Sequence, residues 1–304
     1  MKIGFNFDSS IKEAPDGKHQ FFIRLSKQFR EKGIIIENKK PDIFIRLPGE
    51  KINKKAKINI LRLDGLIMNT RWEYKSRNKN ILRSIKVSDG LIYQGRFCEQ
   101  AYRKFLGIKN KSFAIIPNGA NSTEFSERNV KNFFLANGRW RPHKRLESII
   151  NSFLKSLDKG LDSDIIVTGD PDKKVKHPRI KYVGWQKRKE LKKLLSGAIS
   201  SIHLTWLDWC PNSMIEAIVA RCPVIYTKSG GHNEIANNSG ISISDTYWDW
   251  HPIDLYDPPK INHDEVANAM IKLKKEKTEY PINNRLSIDV VSEEYIKYFK
   301  EMLK

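Results

Sequence analysis

The chain alternates strand-length apolar runs with segments whose apolar residues recur at helical spacing, and it does so twice over. In the first series, residues 2–7 read as a strand. Residues 20–32 carry Phe21, Phe22, Leu25 and Phe29 on one helical face and stop at Gly33. Short apolar runs follow at 34–37, 43–47, 57–63 and 90–93. Residues 97–106 predict a helix closed by Gly107, and 113–116 a strand closed by the turn Pro117-Asn118-Gly119. Residues 120–132 are polar, which places the inter-domain linker there. The second series predicts strands at 133–136, 164–168, 180–183, 199–205 and 223–227. Helices are predicted at 146–157, 187–195 and 212–220, and an amphipathic one at 287–303. No internal repeat is visible.

This alternation argues for an α/β fold with parallel sheets. Two domains are expected: residues 1–128, joined by the last helix at 287–304, and residues 129–286. In open parallel sheets, ligands bind outside the carboxyl ends of the strands, and a cleft between two such domains is the default site. The 304 residues suffice for two cores. No apolar run is long enough to span a bilayer, and the N-terminus reads as a strand, not a leader. Cys98, Cys210 and Cys222 are too few and scattered for a disulfide framework or a zinc site. Reduced thiols and a cytoplasmic location are expected.

The net charge is +20, and roughly +14 of it falls before residue 131. An anionic acceptor, an anionic membrane surface and nucleic acid all fit such a bias, as does the Lys-, Asn- and Ile-rich composition of an AT-rich genome.

Three segments carry candidate chemistry. Gly138-Arg139-Trp140-Arg141-Pro142-His143-Lys144-Arg145 joins a strand to a helix. Cations are disfavoured at a helix start, so a bound diphosphate would resolve the conflict; a solvated basic loop is the bland alternative. Asp208-Trp209-Cys210-Pro211-Asn212-Ser213-Met214-Ile215-Glu216 makes a second strand-to-helix join. Amides of residues 211–214 could hold phosphate or sugar oxygens, and the two carboxylates could grip hydroxyls; otherwise Asp208 is a cap and Glu216 a surface residue. In Ser229-Gly230-Gly231-His232-Asn233-Glu234, the glycines allow either a close ligand approach or an ordinary turn.

Taken in order and spacing, these segments resemble glycosyltransferase family 4, the retaining enzymes of GT-B architecture, over residues 85–240. Gly138-Arg139 and Lys144 resemble that family's diphosphate clamp, and Asp208 to Glu216 has the spacing of its E-x7-E motif. The resemblance implies two Rossmann-like domains facing a central cleft, a nucleoside-diphosphate sugar as donor, and no cofactor and no metal. It implies that Arg139 and Lys144 bind the diphosphate, Asp208 the donor sugar and Glu216 the ribose. Gly138, Gly169, Asp170, Val183, Gly184, Pro211, Asn212, Ser213 and Met214 would line the donor pocket. In the first half, Asp64 is expected to touch donor sugar or acceptor, and Gly17 to lie near the donor phosphates. The sequence departs from the family pattern at Asp208, a Glu elsewhere, at Arg145, where Gly often follows the Lys, and at Cys222. Acceptor contacts are expected in the basic first half. An anionic glycan, a lipid-linked acceptor or peripheral membrane contact fits its charge.

Rival readings are a nucleic-acid binder, which lacks any recognisable module, and a catalytically silent scaffold of the same fold. A dinucleotide-dependent oxidoreductase is disfavoured because no G-x-G-x-x-G opens either half.

Overall fold

The computed structural model describes residues 1–6, 17–109, 111–276 and 280–304. It divides the chain into two compact units. The first comprises Met1–Ala120, Trp250–Ile253 and Arg285–Lys304; the second comprises Asn121–Asp249 and Asp254–Asn284.

The first unit is built on a parallel sheet of β1 (Lys2–Phe5), β2 (Ile35–Ile36), β3 (Ile43–Arg46), β4 (Ile58–Leu63), β5 (Gly90–Tyr93) and β6 (Phe113–Ile115), in the order β2-β1-β3-β4-β5-β6. The helices are α1 (Gly17–Glu31), α2 (Tyr74–Lys86) and α3 (Arg96–Leu106), with the terminal α9 (Ile288–Met302). Alternation sets the core. Ile3, Phe5, Ile43, Ile45 and Ile60 pack with Phe21, Leu25 and Phe29 of α1 and with Val291, Tyr295 and Phe299 of α9. Helix α2 was not expected from the apolar pattern. Its helical face is partly polar, burying Asn78 and Ser84 beside Ile81 and Ile85, so the hydrophobic period is interrupted. Those polar groups have partners: Ser84 Oγ accepts from the Gly49 amide, and Asn78 bonds the backbone of Ile67.

The second unit repeats the plan with β7 (Phe133–Ala136), β8 (Asp164–Thr168), β9 (Ile180–Gly184), β10 (Ser201–His203), β11 (Val224–Thr227) and β12 (Gly240–Ile243). All pairings are parallel, in the order β12-β11-β10-β7-β8-β9. Its helices are α4 (Leu146–Asp158), α5 (Arg188–Gly197), α6 (Asn212–Val219), α7 (His232–Ala236) and α8 (His263–Glu276). Helix α8 was also missed, though its signals are in the sequence. The Asn262 side chain accepts from the Asp264 and Glu265 amides, and Val266, Met270 and Leu273 repeat at helical spacing against the core of α4. Among the described residues, no helix is long and apolar enough to cross a membrane. All three cysteines are buried free thiols.

Candidate functional site

In the second sheet the chain runs outward from β7 through β8 to β9, then returns and runs the other way through β10, β11 and β12. The loops leaving β7 and β10 therefore diverge to opposite faces, and a crevice opens between them at the carboxyl ends. These are the two loops that the sequence marks with Arg139–Lys144 and Asp208. The structure brings them together. Lys144, at the end of the short 3-10 turn Pro142–Lys144, donates from Nζ to Asp208 Oδ2 at 2.8 Å. The Trp206 amide donates to the His143 carbonyl at 2.8 Å and ties the loop backbones to one another. Burial opposes ionisation of Asp208, but the Lys144 ammonium beside it wins and pulls the carboxyl down to about 2. Arg139 is exposed and makes no ion pair among the described residues.

Arg145 sits on a left-handed backbone, with φ of 54°, where glycine is the costless choice. Its side chain explains the exception. The guanidinium is buried and makes a two-pronged bond with Asp245, at 2.8 and 2.9 Å. It also donates to the carbonyls of Leu204 and Pro259, and Ser229 Oγ donates to Asp245. One buried ion pair thus pins the loop after β7 to the ends of β10 and β12 and to the loop after β11. Both terminal nitrogens of the guanidinium have acceptors, which offsets the cost of burying the charge.

The paired glycines make a close approach to protein backbone. Gly230 has φ of 70°, and a Cβ there would lie 2.6 Å from the Asp208 carbonyl oxygen; one on Gly231 would collide with the Trp209 carbonyl. The Gly231 amide donates to the Asp208 carbonyl at 2.8 Å. Leu207, just before Asp208, holds φ of 58°, a conformation that costs about 1–3 kcal/mol. The Asp208 loop is thus held in place by the glycine turn.

Helix α6 starts at Asn212, with Pro211 in the extended conformation just before it. Residues 211–214 offer fewer amides than expected: Pro211 has none, and that of Met214 donates to the Pro211 carbonyl. Asn212 and Ser213 are half-buried, Met214 fully buried. Glu216 is 8% exposed, which removes the surface-residue reading. Its Oε1 accepts from Arg188 of α5 at 2.7 Å. Arg188 was not anticipated, because nothing local in the sequence pairs it with a residue 28 positions away.

Gly138, Gly169 and Gly184 come together at the ends of β7, β8 and β9. A Cβ on Gly169 would collide with the Gly138 carbonyl, and the Gly169 amide donates to the Gly184 carbonyl at 2.9 Å. Trp140 covers this corner and donates from Nε1 to the Thr168 carbonyl. Asp170 is exposed and pairs with Lys174, and Val183 is exposed. Three buried histidines surround the crevice loops. Burial holds His143 down to about 4, His203 to about 3, and His232 below its ordinary value.

Asp64 and Gly17 belong to the first unit. Asp64 follows β4 and is engaged there by Arg62 at 2.5 Å and by Gln94 at 3.0 Å. Gly17 opens α1, and Asp16 before it lies outside the described residues. Among the described residues, no group of three or more His, Cys, Asp or Glu side chains is placed to hold a metal.

No family model matches the chain. A probable sucrose-phosphate synthase of Thermosipho melanesiensis is 29% identical over 151 residues, 43% of this chain and 36% of that protein's length. Solved structures match nearly the whole chain at low identity. Anabaena Alr3699/HepE in complex with UDP gives a TM-score of 0.68 at 11% identity, covering 99% of each chain. The sucrose-phosphate synthase of Thermosynechococcus elongatus gives 0.63 at 11%, covering 100% of this chain and 95% of that one. AviGT4, a glycosyltransferase involved in avilamycin A biosynthesis, gives 0.62 at 14%, covering 99% and 98%. At such identities the likeness is one of fold: two parallel six-stranded sheets with flanking helices, the GT-B architecture.

Proposed function

We propose that the chain is a retaining glycosyltransferase, of the kind family 4 exemplifies, that moves a sugar from a nucleoside-diphosphate donor to a hydroxyl acceptor. The observation that carries this is the Lys144–Asp208 pair at the point where strand order reverses, with the unpaired Arg139 in the same loop. The partial relative supports it, as do fold neighbours solved with UDP and with UDP-glucose.

The chemistry follows from charge. The bond between the anomeric carbon and the diphosphate oxygen breaks, negative charge grows on the diphosphate, and the sugar becomes oxocarbenium-like. Lys144 and Arg139 neutralise the leaving group, and the N-terminus of α6 adds its partial positive charge. Asp208 accepts from Lys144 at Oδ2 and keeps Oδ1 for a sugar hydroxyl; its depressed pKa keeps it an acceptor at neutral pH. Glu216, steadied by Arg188, takes the ribose hydroxyls. The acceptor oxygen attacks from the leaving-group side and its proton passes to the departing diphosphate, so the anomeric configuration is retained. These cations supply the charge that a metal would otherwise bring.

Thermal stability with UDP, GDP, ADP, CDP and TDP, with and without EDTA, tests this. At a hundred times Kd a ligand adds about 2.7 kcal/mol, a shift of several degrees. One diphosphate should stabilise the chain, with or without EDTA, and lose its effect in Arg139→Ala and Lys144→Ala. If no diphosphate stabilises the chain and nucleic acid does, the transferase reading fails.

A further inference from the structure

A second concavity lies wholly within the first unit. It has a volume of about 740 Å³ and reaches the carboxyl end of β1 through Phe5 and Asn6. Its charged lining is Lys39, Lys51, Lys54 and Lys55, with no carboxylate among the described residues. Phe44 and Ile52 add apolar surface.

Other cations of this unit, Lys75 and Lys79 among them, also lack an ion pair among the described residues, but these four are gathered round one concavity, whereas several of their neighbours are neutralised. Lys32 pairs with Asp289 and Glu293, Lys57 with Asp42, and Arg285 with Glu294. None of the four pocket lysines takes part in an ion pair within the described structure. The nearby acids are turned elsewhere: Glu37 accepts from the Lys39 amide, and Asp42 from the Lys2 amide and Lys57. Like charges gathered round a concavity repel one another, and an anion in it removes that repulsion.

The walls are built. The Phe5 amide donates to Asn38 Oδ1 at 2.8 Å, and Asn53 Nδ2 donates to the Asn38 carbonyl at 2.8 Å. Asn53 Oδ1 in turn accepts from the Lys55 amide at 2.9 Å. A Cβ on Gly4 would lie 2.9 Å from both the Glu37 carbonyl oxygen and the Phe44 ring. The two lysine-bearing loops are therefore locked to each other and to β1.

We propose that this pocket binds a sugar-sized ligand bearing two or more anionic groups, phosphate or carboxylate; resting on the transferase reading, this ligand is the acceptor. The concavity is open to solvent, and its volume admits a sugar-sized molecule. Lysines, as mobile point charges, match anions whose geometry is not fixed. Among the apolar lining residues Ile52 is exposed, and it suits the face of a sugar ring.

Lysine acetylation read residue by residue by mass spectrometry tests the proposal, on the full chain with UDP present. The probes are fructose 1,6-bisphosphate, digalacturonate, glucose and inorganic phosphate, with single-stranded DNA and phosphatidylglycerol vesicles alongside. At ten times Kd, the bisphosphate or the digalacturonate should slow labelling of the four pocket lysines about tenfold, and the better of the two names the anion. Exposed Lys75 and Lys79 on α2 should not change, and glucose should protect nothing. Lys51→Ala/Lys54→Ala/Lys55→Ala, at exposed positions, should abolish protection of Lys39. Equal protection of Lys75 and Lys79, no protection, or protection by DNA or vesicles alone overturns the pocket. UDP stabilisation, measured separately, keeps the two readings apart. If UDP binds and no pocket lysine is protected, only the pocket falls. Protection without any nucleotide effect leaves the pocket and removes its role as acceptor site.

Discussion

The two units share an architecture, and their candidate binding cations are held differently. In the second, three basic side chains of the crevice loops and α5 are tied down, Lys144 to Asp208, Arg145 to Asp245 and Arg188 to Glu216, beside the exposed Arg139. In the first, Arg62 is tied to Asp64, but four lysines line a concavity with no counter-ion among the described residues. Ionic partners fix a side chain's position before a ligand arrives, and so suit a step where charge must be met at one place. Unpartnered lysines keep their mobility and suit recognition that tolerates variation in the bound anion. Sheet order differs too. The reversal lies between β1 and β3 in the first unit and between β7 and β10 in the second, which selects the loops that open toward a ligand.

The largest expected effect tests whether the second unit depends on its buried pair. Arg145→Gly accepts the left-handed backbone but leaves Asp245 buried and unpaired. We expect about 3–5 kcal/mol of lost stability, with UDP binding weakened because the Lys144 turn loses its anchor. Arg145→Gly/Asp245→Ala should be less destabilised than the sum of the single changes. Urea unfolding can be followed in each unit by pulse labelling of its buried thiols, Cys98 in the first and Cys222 in the second. Strict additivity would show that the two side chains are not coupled.

Next is Lys144→Ala. Turnover should fall by about 10²–10³, the cost of losing one donor to a developing anion, with little change in Cys222 labelling. Lys54→Ala in the first unit should leave UDP stabilisation unaltered. Equal effects from the two lysines would erase the contrast between the units.

The candidate residues of the second unit could be grouped from sequence because they lie on the loops that leave β7 and β10 and on the helix that follows, where chain order maps onto the crevice. Gly138, Lys144, Asp208 and Glu216 are all placed there. What stayed hidden was long range. Asp245 is 100 residues from Arg145, Arg188 is 28 from Glu216, and no local pattern couples them. Helix α2 escaped because Asn78 and Ser84 occupy buried positions that the eye reserves for apolar residues. The lysine pocket was visible only as excess charge, since its shape depends on Asn38 and Asn53 bonding across two loops.

Glycine substitutions give a smaller and cleaner contrast. Gly230→Ala places a Cβ 2.6 Å from the Asp208 carbonyl at a φ of 70°, and should cost about 2–3 kcal/mol through strain and displaced backbone. UDP affinity should drop with it. Gly107→Ala, at the end of α3, has a φ of 67° and meets no atom within 4 Å. It should cost about 1 kcal/mol from backbone alone. If the two cost the same, the glycine turn does not hold the Asp208 loop.

The smallest effect per residue is one of pH. His143, His203 and His232 are buried in the second unit, while among the described residues the first unit buries no histidine. Each buried imidazole has its pKa depressed, to about 4 for His143 and about 3 for His203. Below the ordinary value of about 6.5, the unfolded chain therefore takes up protons that the folded unit refuses. Stability contributed by these residues is full above that value and declines as pH falls toward the depressed pKa. From pH 7 to pH 6 the loss is about 0.7 kcal/mol for each histidine that stays neutral. Asp208, held at about 2, adds nothing in this range, because its stabilising ionisation is lost only in strong acid. Urea midpoints read at Cys222 should fall between pH 7 and pH 6, while those read at Cys98 should hold. Midpoints falling equally at both thiols would mean that the buried imidazoles are not what makes the second unit acid-sensitive.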